Sequence, residues 1–423
     1  MENAVPYSSE QRLSLPQLLR SLGPGIMMAA AAVGGSHLVA STKAGAIYGW
    51  QLAILILLVN LFKYPFFKAG VQYTMGTGDS LVEGYAKMGK PYLWIFAVLA
   101  VFSGIVNTAA LLMFSASLLS YFIPFELSLP VLSGIVLATC LIILFAGHYR
   151  ALDTLSKVIM AVLTIATLLA VVIAAANPAP ATVVAEAPSP WTLAAIGFLV
   201  VTMGWMPAPI EISSLTSVWL KSQCRHQRVT PQSALFDFNV GYIGTAILAI
   251  VFLALGALVL HGSGVELSKS GVGFSHQLVG LYASTIGEWS RYLIAVIAFF
   301  CIFGSTITVI DGYSRVIAES QRLLKEQPEQ SPKVLQGWMI LVSAAALAII
   351  MFFASALMPL LNFAMIMAFM TTPVFALLNY ILVTRTELPQ ELKVGPKLKA
   401  LSILGLIYLF GFLALFIWWQ WLM

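Results

Sequence analysis

The sequence predicts an all-α membrane protein with eleven transmembrane helices, and three observations carry that prediction. Of 423 residues, 60% are hydrophobic and 9% charged, and the mean hydropathy is +0.93. So few charges cannot cover the apolar surface of a soluble globule. The apolar residues fall in eleven runs, most of them about 20 residues or longer, the length a helix needs to cross ~30 Å of hydrocarbon. Finally, all 22 lysines and arginines except Lys43, Lys269 and Arg291 lie in or beside alternate connections, those that are cytoplasmic if the amino terminus is. That bias places the amino terminus in the cytoplasm and, with an odd number of crossings, the carboxyl terminus outside the inner membrane. Lys63 is among the residues assigned to the inner side.

The first twenty residues are polar and hold Pro6 and Pro16. They lack a basic start followed by a short apolar core, so no cleaved signal is expected and the first apolar helix directs insertion. That helix, 21–48, is interrupted by Gly34, Gly35 and Ser36. Adjacent glycines weaken a helix by roughly 1 kcal/mol each, and broken backbone survives in a bilayer only where protein or a water-filled cavity receives its polar groups. Runs at 50–73, 92–122, 130–147 and 151–176 follow, the fourth being short. The connection 177–191 has four prolines and no basic residue and reads as an extended outer linker.

The sixth run, 192–219, is also interrupted, at Gly204-Trp-Met-Pro-Ala-Pro209, and runs at 234–260, 289–316, 334–355, 358–384 and 399–421 complete the chain. The outer segment 261–288, with Gly262, Gly264, Gly271 and Gly273, predicts a short amphipathic helix over an outer vestibule. Two groups of five helices that start on opposite sides, each opening with a broken helix, form the pattern of a LeuT-type 5+5 inverted repeat. In transporters of that design the paired breaks hold the substrate. The expected division is a cytoplasmic segment 1–20, repeats 21–176 and 192–384 joined by 177–191, and a final unit 385–423 with the eleventh helix.

Several short stretches resemble one family. They are Leu22-Gly-Pro-Gly25, Ala44-Gly-Ala-Ile-Tyr-Gly49, Met206-Pro207, Phe236-Asp237 and Gly304-Ser-Thr-Ile-Thr308 followed by Glu319. In this order, across about 20–385, they are similar to the NRAMP (natural resistance-associated macrophage protein) divalent-metal transporters. The resemblance implies the same fold, alternating access and coupling to protons or another ion. It also implies a metal ligand at Met206. The chain departs from the family at the ligands themselves: where metal-transporting members read Asp-Pro-Gly-Asn, this sequence has Gly34-Gly35-Ser36-His37, and the histidine after Met-Pro is Ala208. The third helix lacks the family's acidic residues and the ninth its arginine.

The candidate site residues are Gly34, Gly35, Ser36, His37, Met203, Met206, Pro207 and Glu211. The small residues suit either close packing beside the alanines at 29–32 or a nest of N–H groups at the start of the outer half-helix, which favours a carboxylate. His37 reads as a core histidine, a metal ligand or a proton carrier. Glu211 reads as a helix-start carboxylate, a coupling acid or an amine contact, and Met206, Glu211 and His37 together are the one candidate metal set. Ser305, Thr306 and Thr308 either bond back to their own helix or line a sodium site. Asp237 reads as a cap or gate residue, and Asp311 pairs with Arg315 or gates.

Cys140, Cys224 and Cys301 have no metal or redox spacing and read as free thiols. No nucleotide, nucleic-acid or catalytic motif appears, and no cofactor is expected beyond a transported ion or a coupling H⁺ or Na⁺. The resemblance favours a transporter of a divalent metal cation. The residues at the breaks favour a small carboxylate-bearing solute, and a non-transporting membrane receptor is a further alternative.

Overall fold

A computed structural model describes residues 14–146, 149–176, 188–262, 268, 271–352 and 356–422. The segment ahead of Ser14 with Arg12, residues 177–187 of the linker, and Gly264 and Lys269 lie outside the described residues. The described chain is helical, with no strand: α1 (Leu15–Arg20), α2 (Pro24–Ala32), a π-helical turn (Ser36–Ser41), α3 (Thr42–Tyr48), α4 (Ala53–Thr77), α5 (Leu81–Met88), α6 (Lys90–Leu119), α7 (Leu129–Phe145) and α8 (Tyr149–Ala176). After the linker come α9 (Ile196–Gly204), α10 (Ile212–His226), α11 (Pro231–Val259), α12 (Gly271–Ile286), α13 (Arg291–Leu324), α14 (Pro332–Phe352), α15 (Leu357–Arg385) and α16 (Pro396–Trp421). By length and composition, seven helical runs among the described residues can cross a membrane, and the shorter apolar helices Leu129–Phe145, Ala161–Ala176 and Leu193–Gly204 accompany them.

Both expected breaks are present. Val33 leaves helical geometry with ψ near 80°, ending α2 ahead of Gly34. Residues 205–211 are non-helical between α9 and α10, where Pro207 and Pro209 bring no N–H to continue a helical ladder. The helices on either side of each break pack on helices distant in the chain: α2 and α3 lie along α11, and α10 lies along α4. Glycine permits the closest approaches. A Cβ at Gly25 or Gly241 would collide with backbone of the opposite helix, and one at Gly204 would collide with the Met365 carbonyl of α15.

The periphery is apolar and uncovered, as a lipid-facing surface requires, with Ile142, Ile165, Val172, Ile407 and Phe352 all more than half exposed. The last helix, α16, packs on α4, α9 and α15. The helix expected in the outer segment is α12, seated on α6, α8 and α13 with Phe274, Leu278 and Tyr282 buried. One placement needs correcting. Lys63 does not flank the inner surface: it sits inside α4 with a fully buried side chain. The charge count assigned it to the inner side although it stands near the middle of the run 50–73, and only the packing shows that its side chain turns inward.

Candidate functional site

The two breaks meet. The Ser36 hydroxyl lies 2.7 Å from the Ala32 carbonyl and 3.4 Å from the Pro207 carbonyl. Gly35 faces the Trp205 indole so closely that a Cβ there would overlap the ring. Between them is a small central cavity of about 20 Å³, lined by Ala31, Ala32, Gly35 and Ser36 from the first break, by Trp205, Ala208, Pro209 and Ile212 from the sixth, and by Asn107, Leu111, Val309 and Tyr313. That volume holds about one water, so the site is nearly closed.

A polar network forms one wall. Tyr313 donates to Glu211 Oε1 at 3.0 Å, and Asn107 Nδ2 donates to the Tyr313 oxygen at 3.2 Å and to the Ser103 carbonyl at 2.9 Å. Glu211 is buried immediately ahead of α10. Two buried polar atoms of lining residues, the Trp205 indole N–H and Asn107 Oδ1, have no hydrogen-bond partner, and neither has Glu211 Oε2 behind Tyr313, with the Ser103 hydroxyl nearby. Opposite, the Lys63 ammonium donates to the carbonyls of Met203 at 2.8 Å, Gly204 at 3.1 Å and Ala208 at 3.3 Å.

The candidate residues divide in two. Gly35, Ser36 and the backbone of the sixth break reach the cavity, with Pro207 joined to Ser36. Gly34 packs on Ser305, where a Cβ would lie 3.1 Å from the hydroxyl. His37 is buried with Nδ1 2.7 Å from the Ser36 hydroxyl and Nε2 2.9 Å from the Thr245 carbonyl, so both ring nitrogens are engaged and it meets the cavity only through Ser36. Met206 is fully buried, and the Met203 sulfur accepts the Tyr408 hydroxyl of α16 at 3.0 Å. No three His, Cys, Asp or Glu side chains stand together among the described residues.

Asp237 is a cap in trans. Its carboxylate accepts the N–H groups of Gly23 at 2.9 Å, Gly25 at 2.6 Å and Ile26 at 3.3 Å, fixing the start of α2 to α11. The Ser305 hydroxyl is within hydrogen-bond reach of the Ala30 carbonyl at 2.9 Å and the Cys301 carbonyl at 3.2 Å. Thr306 and Thr308 bond back to Ile302 and Gly304, and Thr306 also meets Ser115 at 2.8 Å. All three cysteines are free thiols. Lys63, Asn107, Trp205 and Tyr313 were not singled out in the sequence. For Lys63 a signal existed, because an ionisable residue inside an apolar run is a functional candidate.

Beyond the cavity α10 and α13 close together. Gly312 packs against Leu215 and Trp219, and Asp311 binds Arg315 at 2.7 Å and the Trp219 indole at 3.4 Å. A second cavity of about 620 Å³ follows, with Glu83, Lys221, Arg225, Arg315, Glu319 and Arg322 in its lining. Glu83 is its hub, 2.5 Å from Lys221 and 3.6 Å from Arg322, which itself binds Glu319 at 2.7 Å. Partial burial alone would raise the Glu83 pKa. The Lys221 ammonium and Ser80, which caps α5 with it, outweigh that and hold it below the usual carboxylate value.

The model of the family described as natural resistance-associated macrophage protein-like (Nramp) matches residues 25–419. A curated relative, "Uncharacterized protein PM0681" of Pasteurella multocida (strain Pm70), is 54% identical over 402 residues, covering 94% of this chain and 92% of the relative. Among solved structures, a point mutant of the Eremococcus coleocola manganese transporter aligns with a TM-score of 0.72 at 15% identity, over 98% of this chain and 88% of the other. MHP1, a nucleobase-cation-symport-1 family transporter in a closed conformation with bromovinylhydantoin bound, aligns with a TM-score of 0.59 at 13% identity, over 94% and 92%. Identities this low speak for the fold alone.

Proposed function

The chain belongs to the Nramp family, and from that premise we propose that it is an ion-coupled secondary transporter with eleven membrane crossings, in which two five-helix halves alternate about the central cavity. It is a membrane transporter, not an enzyme. In this reading the amino terminus is cytoplasmic, the cargo sits between the paired breaks, and the latch at Glu83 seals the inner side. Glu211, the buried acid behind the cavity-lining Tyr313, takes up and releases the coupling proton supplied by the gradient.

The cargo we infer is a small solute bearing a carboxylate. The observation that carries this is the unpartnered N–H of Trp205, a residue of the cavity lining. A buried donor without a partner costs about 1–3 kcal/mol, which a cargo oxygen recovers on binding. A cation gains nothing from such a donor. The orphan oxygen of Asn107, another lining residue, adds an acceptor for a donor group on the same solute.

A divalent metal is the second reading, supported by family membership and by the likeness to manganese transporters. It requires an ion shell from Met206, Glu211, His37 and break carbonyls. To form it, Glu211 must leave Tyr313, His37 must leave Ser36 and Thr245, and Lys63 must leave the carbonyls of the sixth break.

Thermal unfolding of the detergent-purified protein separates the readings, because a ligand that binds only the folded state raises apparent stability by mass action. A saturable shift with one of a panel of small amino and organic acids, absent with its methyl ester, supports the solute. A saturable shift with Mn²⁺, Fe²⁺ or Zn²⁺ that disappears in Met206→Ala overturns it. Binding without flux in proteoliposomes marks a receptor.

A further inference from the structure

The three carbonyls around Lys63 have a particular position. Those of Met203 and Gly204 end the half-helix α9, and that of Ala208 lies across the gap. An ammonium has three donors, and these oxygens take all three. In secondary transporters the carbonyl end of a broken half-helix is where a coupling cation is coordinated, since the negative end of the helix dipole faces it. Here a side chain of the same protein occupies that place. Glu211, at the other end of the break, is close enough for the two charges to interact.

We propose that Lys63 is a tethered cation. Its ammonium holds the half-helix carbonyls as a bound metal or sodium ion would, so the closed break forms without a free cation. The proposal rests on the reading that the breaks form the cargo site, but not on what the cargo is. It also explains how the first break can lack any acidic side chain: the cation that such a group would help to hold is already part of α4.

The test reads the cage with no cargo present. Lys63→Ala removes the ammonium and its stem, leaving a space beside three unpaired carbonyls. Its thermal midpoint is expected to fall by several degrees. Methylammonium chloride should restore it saturably, while tetramethylammonium chloride at equal ionic strength, lacking any N–H, should not. Lys63→Met keeps the bulk and removes the donors, so its midpoint should also fall, without rescue because the stem still fills the site. The wild type should respond to neither salt.

A Lys63→Met protein as stable as the wild type, or a Lys63→Ala protein that responds equally to the two salts, overturns the proposal. Should Lys63→Ala fail to fold, the Lys63→Met midpoint alone decides. A cargo panel that favours a metal would leave this outcome untouched, so the failures of the two readings are distinguishable.

Discussion

At the scale of single residues, the site is built from groups that fit tightly or lack partners. Gly35 has no room for a side chain because the Trp205 ring occupies the space. Gly35→Val should therefore abolish cargo-induced stabilisation while leaving a folded protein, as titration of the variant's thermal midpoint would reveal. Trp205→Phe removes a donor that has no partner in the closed state. Basal stability should change little and carboxylate affinity should fall by roughly 10- to 100-fold, the worth of a hydrogen bond to a charged group. Equal affinity in the variant would detach the indole from the cargo. The glycines were legible because two in succession contradict a membrane helix. Trp205 was not: an indole in an apolar run is unremarkable until its N–H is seen to have no acceptor, and that depends on helices distant in the chain. The same holds for Asn107 and Tyr313, which meet across α6 and α13.

At the scale of elements, the broken helices are held by contacts their own sequences do not contain. The start of α2 is capped from α11 by Asp237, with three N–H groups on one carboxylate. Asp237→Ala should cost about 2–3 kcal/mol, since charge-assisted hydrogen bonds are lost and buried donors are left open. The midpoint should drop, and amide exchange should quicken at Gly25 and Ile26 before it does elsewhere. Unchanged protection there would mean that the cap is redundant. The breaks themselves were legible, because glycine and proline act through local backbone geometry. Lys63 was misplaced for the opposite reason: its value lies in reaching from α4 to α9, and only packing shows that its stem runs inward.

For the whole molecule, the arrangement is a small central cavity, a packed layer of Leu215, Trp219, Gly312 and the Asp311–Arg315 pair, and a charged cavity bridged by Glu83, Lys221 and Arg322. Glu83 has a folded-state pKa below its unfolded value. Its contribution to the closed latch is therefore complete above the unfolded value, near 4.5, and is lost as pH falls through the lower folded one. Glu83→Gln should mimic acid at neutral pH and, in a Cys224→Ser background, raise the labelling rate of a cysteine placed at Ile212, buried in the lining of the central cavity, while an unchanged rate would exclude the latch. The length of the apolar runs and the paired breaks made the helical, membrane-spanning character legible from sequence. Cargo chemistry was not, because it depends on which polar groups remain unpaired after the helices pack. The most direct test is uptake into proteoliposomes containing EDTA inside and out. The account predicts saturable uptake of a small carboxylate, indifferent to the chelator and lost in Gly35→Val. Saturable Mn²⁺ entry in the absence of chelator, lost in Met206→Ala, with no carboxylate taken up, would contradict it.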